Sequence, residues 1–471
     1  MKKVLIISYL FPPIGGGGVP RALKMSKYLP NYGWDTVVLT ANPKYHVSLD
    51  QELLKQVPPQ TVIYRADELD LQGFANLLRK PVSAKSGSEQ PTKPAQEGAQ
   101  KAVQTKEISR TSETAVPPKP AVSRLKGKLF SSLKKIKGYL MIPDDQILWV
   151  SSAIKEGLKA IEEQKVNVIF STSGPYSNHL VAKALARKTG LPWIADFRDP
   201  WTQNMHRSGV AWREKVEEGM EAKVMEQADI ITTVTHTFAK NFKLKYPNIK
   251  QLEVIHNGYD PEDYQELEPD KIDNKLTFAY TGIFYQERNP RLFFKALAEL
   301  IAEGKVEKND LLLRFAGVFD YPGYDENQRA AEENGLQEIV QVLGHLPHKK
   351  ALSLLNGSDI LMLIGDTAPG SEAYIPGKLY EYLAVKKPIL ALSVEGESTQ
   401  IIERFGIGRV VEPTNFEVMK RAILDFYQAW KEGRLEQAFS FDLQSDQLAI
   451  YQRDHQAGEL AVLLNELSDN R

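Results

Sequence analysis

Ile375-Pro376-Gly377-Lys378-Leu379-Tyr380-Glu381-Tyr382-Leu383-Ala384, followed by Lys387-Pro388-Ile389-Leu390-Ala391, is the stretch on which the fold of this chain turns. Pro376 suits the first turn of a helix, where its missing N–H leaves nothing unsatisfied. Leu379, Tyr380, Tyr382 and Leu383 give that helix an apolar side, and Lys378 and Glu381 share the other. The helix should stop before Pro388, and Pro-Ile-Leu-Ala-Leu then reads as a buried strand. A loop therefore enters a helix whose first turn carries a cation and a carboxylate. Such an N-terminus suits an anion, and a carboxylate one turn in can accept from two sugar hydroxyls. Spacing alone also fits a plain surface Lys–Glu pair.

Working outward, the same strand–loop–helix unit recurs. Val4-Leu5-Ile6-Ile7 is a continuous apolar run, as in a central parallel strand. Tyr9 to Gly18 follows, with Pro12-Pro13 and the glycines Gly15, Gly16, Gly17 and Gly18, then a helical stretch Pro20 to Leu29 and a strand Trp34 to Thr40. That is half of a doubly wound sheet. The glycines allow backbone N–H groups to approach a ligand, or they merely turn the chain. The dinucleotide fingerprint fails: counted from Gly15 its last glycine falls on Pro20, and from Gly16 on Arg21.

Regular alternation resumes at Asp145. Helices are expected at 152–164, 176–188, 211–227 and 236–245, and strands at 166–170, 192–196 and 229–234. After 274 the pattern restarts, with strands at 276–280, 311–316, 340–344 and 359–364, a helix at 290–303 and a final helix at about 443–468. Two motifs lie at carboxyl ends of strands, where open α/β sheets bind ligands. One is Asp196-Phe197-Arg198-Asp199-Pro200-Trp201; the other is Thr281-Gly282 running to Arg288-Asn289-Pro290. An ion cluster that fixes a loop is the plainer reading of the first.

The stretch at 375–391 resembles the donor-site motif of the retaining glycosyltransferases of the GT-B fold, family 4 type. The Pro-Pro-x-Gly-Gly loop resembles that family's N-terminal loop. Ser171-Thr172-Ser173-Gly174-Pro175 with the Asp-Phe-Arg-Asp-Pro-Trp run resembles its bacterial surface-polysaccharide subgroup, and Val254 to Asp260 resembles its Pro-Asn-Gly-x-Asp segment, with His256 for the Pro. The chain also departs from the family at two donor-side positions: Ala373 stands where a first glutamate belongs, with Glu372 one residue off, and Ile283 stands where an arginine follows Gly282. The resemblance covers nearly the whole chain except about 67–144.

The resemblance implies an α/β GT-B fold, two Rossmann-like doubly wound domains facing a cleft. The first, 1–262, would be the acceptor side; the second, 263–440, would bind the nucleotide sugar; 441–471 would return to the first; the hinge falls at about 258–274. It also implies a sugar transfer with retention from a nucleotide-diphosphate sugar to a glycan or lipid-linked acceptor in surface polysaccharide synthesis, with no separate cofactor or metal. Donor-side residues are then Gly16, Gly17, Gly282, Arg288, Gly344, Glu372, Gly377, Lys378 and Glu381, with Glu381 on the ribose and Arg288 on the diphosphate, a fork of donors suiting phosphate. Arg288, Lys378 and helix N-termini would meet the departing charge, His179 is the histidine in the region of the family's cleft histidine, and Asp196, Arg198 and Asp199 face the acceptor. A non-catalytic nucleotide-sugar-binding relative or scaffold is the alternative that Ala373 and Ile283 support. A nicotinamide oxidoreductase lacks both the fingerprint and an acid after the second strand, which ends Leu39-Thr40.

Composition sets the outer bounds. The 471 residues, 42% hydrophobic and 25% charged, are ordinary for a globular protein of two or three domains. Net charge −1 creates no field for a nucleic acid. With no cysteine there is no disulfide and no thiolate chemistry, which fits a reducing, cytoplasmic setting. No apolar run reaches the roughly 18 residues of a membrane span. Residues 81–120 hold six prolines and no aromatic residue, too little apolar surface to offset ordering, so they read as a disordered insertion. Within 123–140, Ser123 to Lys137 carries six cations and no acid, with Leu125, Leu129, Leu133 and Ile136 on one helical face. That reads either as an anionic-membrane-surface element at the inner face of the membrane or as a helix packed on its own domain.

Overall fold

The computed structural model describes residues 1–46, 49–68, 141–205, 207–285, 288–439 and 446–469. The expected insertion at 81–120 and the basic stretch at 123–140 lie outside the described residues. One compact unit comprises Met1–Glu68 and Ile142–Arg471; of the second, Leu69–Met141, only Met141 is described.

Two wholly parallel sheets form the large unit, as the doubly wound pattern predicts. The first has seven strands in the order β3-β2-β1-β4-β5-β6-β7: β1 (Lys2–Ile7), β2 (Trp34–Ala41), β3 (Val62–Ala66), β4 (Val168–Thr172), β5 (Trp193–Phe197), β6 (Ile230–Thr233) and β7 (Leu252–Val254). The second has six in the order β10-β9-β8-β11-β12-β13: β8 (Leu276–Ile283), β9 (Leu311–Val318), β10 (Val340–Gly344), β11 (Ile360–Ile364), β12 (Ile389–Leu392) and β13 (Gly408–Val411). The order reverses beside β1 in one sheet and β8 in the other, so the glycine loop after β1 and the Gly282 loop after β8 both open at switch points.

Burial explains the strand sequences. Val4, Leu5, Ile6 and Ile7 are wholly buried, their side chains shared between cores on the two faces of the sheet. Each is worth about 1.5–3 kcal/mol over exposure, so no polar alternation is tolerated. β11 and β12 are buried throughout for the same reason.

Six helices position the site: α1 (Val19–Tyr28), α2 (Ser177–Thr189), α3 (Arg291–Ala302), α4 (His348–Asn356), α5 (Gly377–Val385) and α6 (Arg453–Asp469). The helices expected at 211–227 and 236–245 have those bounds. Pro376 does not occupy the first turn of α5. Its ψ of 138° is extended, so it caps the helix from outside and α5 begins at Gly377. Lys386 then turns left-handed at φ 57°, donating its N–H to Tyr382, and Pro388 leads into β12. The final helix begins later than expected, at Arg453, and packs on α1 through Leu460, Ala461 and Leu464.

The sheets are tied together at several points. Ala373 and Tyr374 of the second lobe pack into the first lobe's core. Thr237 donates its N–H to Glu397 Oε1 at 2.6 Å. At the hinge, Tyr259 and Tyr451 are joined by a main-chain bond of 3.0 Å, and Arg453 and Tyr259 by another of 2.9 Å.

Candidate functional site

The second lobe brings two cations together above β8. Gly282 has φ +143°, and a Cβ built there would lie 2.6 Å from Lys378 Nζ. Lys378 thus passes over bare backbone, with its ammonium 5.2 Å from the Tyr280 ring. Arg288 closes a tight turn with Tyr285 through reciprocal main-chain bonds of 2.9 and 3.1 Å, and its guanidinium covers the Tyr285 ring at 5.0 Å. Its Nε is buried without a hydrogen-bond partner. Burial, then the nearby Arg288 charge, pulls the Lys378 ammonium below its usual range, with Glu381 opposing. Neither cation has a carboxylate within ion-pair reach among the described residues, which is the electrostatic signature of a site waiting for an anion.

Glu381, one turn along α5, is half-buried, with Oε1 3.5 Å from His348 Nε2 at the start of α4. The hydrogen bond to Glu381 raises the His348 imidazole above its ordinary value. Glu381 and Gly377 line a cavity of about 310 Å³ whose other wall belongs to the first lobe: Gly17, Arg21, Lys24, Arg198, Asn257 and Asp260. Gly16, at φ +126°, and Gly17 leave open space where a Cβ would stand, so the loop after β1 presents bare backbone. Burial would raise the Asp260 carboxyl, but hydrogen bonds from Lys24, Lys27 and Tyr28 outweigh it and hold it at about 2. A larger cavity, about 460 Å³, lies at the ends of β8 and β9 among Phe284, Tyr285, Phe319, Tyr321 and Tyr324. Its Asp320 accepts from the Asn327 and Gln328 N–H groups.

Several expected residues are not in the cleft. His179 is wholly buried. Its Nδ1 is 2.8 Å from Ser171 Oγ, its ring is 4.5 Å from Phe197, and burial drives it down to about 3. It is a neutral core residue of α2, not a catalytic group. Asp196 is also wholly buried. It accepts from Arg21 at 2.7 and 2.8 Å, Thr172 at 2.7 Å and Thr232 at 2.8 Å. With every lone pair engaged it cannot meet an acceptor; it pins α1 to the sheet, and the expected ion cluster within 196–201 does not form among the described residues. Its partner is Arg21, not the neighbouring Arg198. Asp199 is exposed. Glu372 accepts from the Gly370 N–H at 2.9 Å and, like Arg288 and Lys378, is not among the residues that line the cavity beside Gly377 and Glu381. Gly344, at φ +64°, ends the edge strand β10 away from the cavity wall. Arg198 does face the cleft.

Two family models match consecutive parts of the chain: Glycosyltransferase Family 4 over residues 117–263 and Glycosyl transferases group 1 over 264–438. The chain belongs to the family 4, group 1 glycosyltransferases. The glycosyltransferase also resembles solved structures over almost its whole length. Sucrose-phosphate synthase from Thermosynechococcus elongatus matches at TM-score 0.58 and 13% identity, with 100% of each chain covered. Anabaena HepE, solved in complex with UDP, matches at TM-score 0.59 and 11% identity over 99% of this chain and 100% of its own. A glycosyltransferase from Rickettsia africae matches at TM-score 0.53 and 15% identity, covering 100% and 99%. At these identities the likeness establishes the GT-B fold. No curated protein sequence matches.

The glycosyltransferase transfers a sugar from a nucleotide sugar. Lys378 supplies, from α5, positive charge beside the position that Ile283 leaves without an arginine; Ile283 itself is 44% exposed. Arg21, Lys24, His348 and Arg453, which also line the cavity, were not legible in the sequence, since they come from separated segments with no shared spacing; Tyr380, inside the 375–391 stretch, read only as part of its helix's apolar side. Among the described residues no helix is long and apolar enough to cross a membrane.

Proposed function

We propose that the enzyme works with retention, moving a sugar from a nucleotide-diphosphate donor to a glycan or lipid-linked acceptor during assembly of a surface polysaccharide. The observation that carries the donor half is the pair Arg288 and Lys378 beside Gly282, one helical turn from Glu381. In this reading the diphosphate lies between the two cations, and the ribose hydroxyls donate to Glu381. UDP, seen in the Anabaena relative, is the first nucleotide to try.

Breaking the bond between the sugar and the diphosphate leaves negative charge on the phosphate oxygens. Arg288 and Lys378 already stand where that charge develops, and fixed donors at such a place lower the barrier without reorganisation. The sugar becomes oxocarbenium-like, so attack by an acceptor hydroxyl needs little from a base. The charge is met by side chains and the N-terminus of α5, and the proposed reaction uses no metal or cofactor.

Retention rests on the likeness to family 4. Proton NMR of the transfer product tests it: an α-linked donor should give an α-linked product, and a β-linked product would overturn retention. The setting that suits this acceptor is the cytoplasm, with attachment to the inner face of the membrane through 123–140. Co-sedimentation with anionic vesicles should fall when the six cations there become Gln, and an unchanged pellet would remove that part of the reading.

A further inference from the structure

The cavity lined by Gly377 and Glu381 has cations of its own, Arg21, Lys24, Arg198 and Arg453, distinct from Arg288 and Lys378. Of its arginines, Arg21 is spent: it forks onto Asp196 and bonds the main-chain oxygens of Ile255 and His256 at 3.1 and 2.9 Å. Arg198 and Arg453 are not. Arg198 donates from Nε to Ser173 O at 2.7 Å, but its two terminal nitrogens reach only Gly17 O and Gly174 O, each at 3.5 Å, the limit of a hydrogen bond. Arg453 is 8% exposed, and among the described residues its guanidinium bonds only Gln456 Oε1, at 3.1 Å. A guanidinium carries five N–H donors, so both have several to spare. Neither has a carboxylate within ion-pair distance among the described residues.

The acids on this cavity are engaged elsewhere. Asp260 is held by Lys24, Lys27 and Tyr28, and Asp263 by Lys24; Glu381 faces His348. Tyr380, only 4% exposed, also borders the cavity, and its buried hydroxyl has no partner. The charges nearest that hydroxyl include Arg453 and Arg21. Two unpaired guanidinium groups and an unsatisfied hydroxyl around one space are costly unless an anion completes them. Burial, then the charges of Arg21 and Arg198, outweigh Tyr380 and Asp196 and bring Arg453 down to about 9, the direction expected of a buried cation among other cations.

We propose that Arg198 and Arg453, with Tyr380 beside them, form a second oxyanion site that takes an acidic group of the acceptor, a phosphate or a carboxylate. The position favours the acceptor over the donor. Arg198 follows β5 in the first lobe and Arg453 opens α6, which packs on α1, whereas Arg288 and Lys378 sit on the second lobe. Arg453 is fixed there by its N–H to Tyr259 O, and Gly258 has no room for a Cβ against Tyr451 and Gln456, so the arginine is aimed by rigid backbone. This inference rests on the reading of Arg288 and Lys378 as the diphosphate ligands.

Calorimetry on the full chain saturated with UDP tests it. Inorganic phosphate is titrated in one arm and glucuronate in the other, which separates a phosphate-bearing acceptor from an acidic sugar. At least one should bind alongside UDP, and Arg198→Gln and Arg453→Gln should each weaken it tenfold or more while UDP affinity stays within twofold. Binding of neither anion, displacement of both by UDP, or unchanged binding in Arg198→Gln would overturn the site. Arg198 is half-exposed, so its variant remains informative if Arg453→Gln melts. Failure of the donor reading is a different result: UDP would not bind, or would bind Arg288→Ala normally.

Discussion

Lys378 and Gly282 share one space: a side chain on the glycine would begin 2.6 Å from the lysine's ammonium and 2.5 Å from its Cε. The absence of a Cβ at the end of β8 is therefore what lets a cation from α5 reach the phosphate position. Gly282→Ala should displace Lys378 and also strain a backbone at φ +143°, a conformation costing about 1–3 kcal/mol for an L side chain. Affinity for UDP should fall tenfold or more, about 1.4 kcal/mol, and uridine much less. Calorimetry that finds UDP unaffected would separate Lys378 from the phosphate.

The contact of His348 with Glu381 makes ribose binding sensitive to pH. Glu381 raises the His348 imidazole, so the protonated form engages the carboxylate and the neutral form, favoured as pH rises, releases it. Uridine affinity should rise as pH climbs through the raised His348 value, above the point at which an ordinary histidine loses its proton. His348→Ala should flatten that slope. A slope that persists in the variant would place the titrating group elsewhere.

Asp260 latches α1 to the hinge. Its carboxyl is held at about 2 against an ordinary 3.8. A depressed carboxylate contributes stability that is present above the ordinary value and lost as pH falls toward about 2. The shift corresponds to about 2 kcal/mol at 1.36 kcal/mol per unit. Asp260→Asn should lower the unfolding free energy from urea titration at pH 7 by that amount and less as pH approaches 2; a constant deficit down to pH 2 would contradict the ion-pair account.

His179 offers a control. Held at about 3 by burial, it is neutral across the working range. His179→Asn should lower the melting temperature, yet turnover per folded molecule and its pH profile should keep their wild-type form. Loss of a limb of that profile in folded protein would restore the histidine to the chemistry.

How far the sequence could be read follows from how local each signal is. The β1 run and the helices 211–227 and 236–245 were legible because apolar runs and helical periodicity act over neighbouring residues. Strands β7 and β13 were not: they are three and four residues long and only partly buried. The strand ending at Gly282 was legible as a local apolar run, whereas Arg288 was singled out only through the resemblance to family 4, by its spacing of six residues from the glycine. Asp196 and His179 misled for one reason. A polar residue at a strand end or in a helix reads alike whether it faces the cleft or the core, and only packing decides. Arg453 and His348 had no local signal; their places depend on a helix that returns to the first lobe and on a neighbouring loop of the second.

The central claim is that Arg288 grips the diphosphate and Glu381 the ribose of one nucleotide. Titrating UDP and uridine into Arg288→Ala and Glu381→Gln measures it directly. A charge-assisted contact is worth roughly 1.5–3 kcal/mol, so Arg288→Ala should cost UDP about tenfold or more and uridine much less. Glu381→Gln should weaken UDP and uridine alike. Equal loss of both ligands in Arg288→Ala, or full binding in Glu381→Gln, would contradict the placement of the donor.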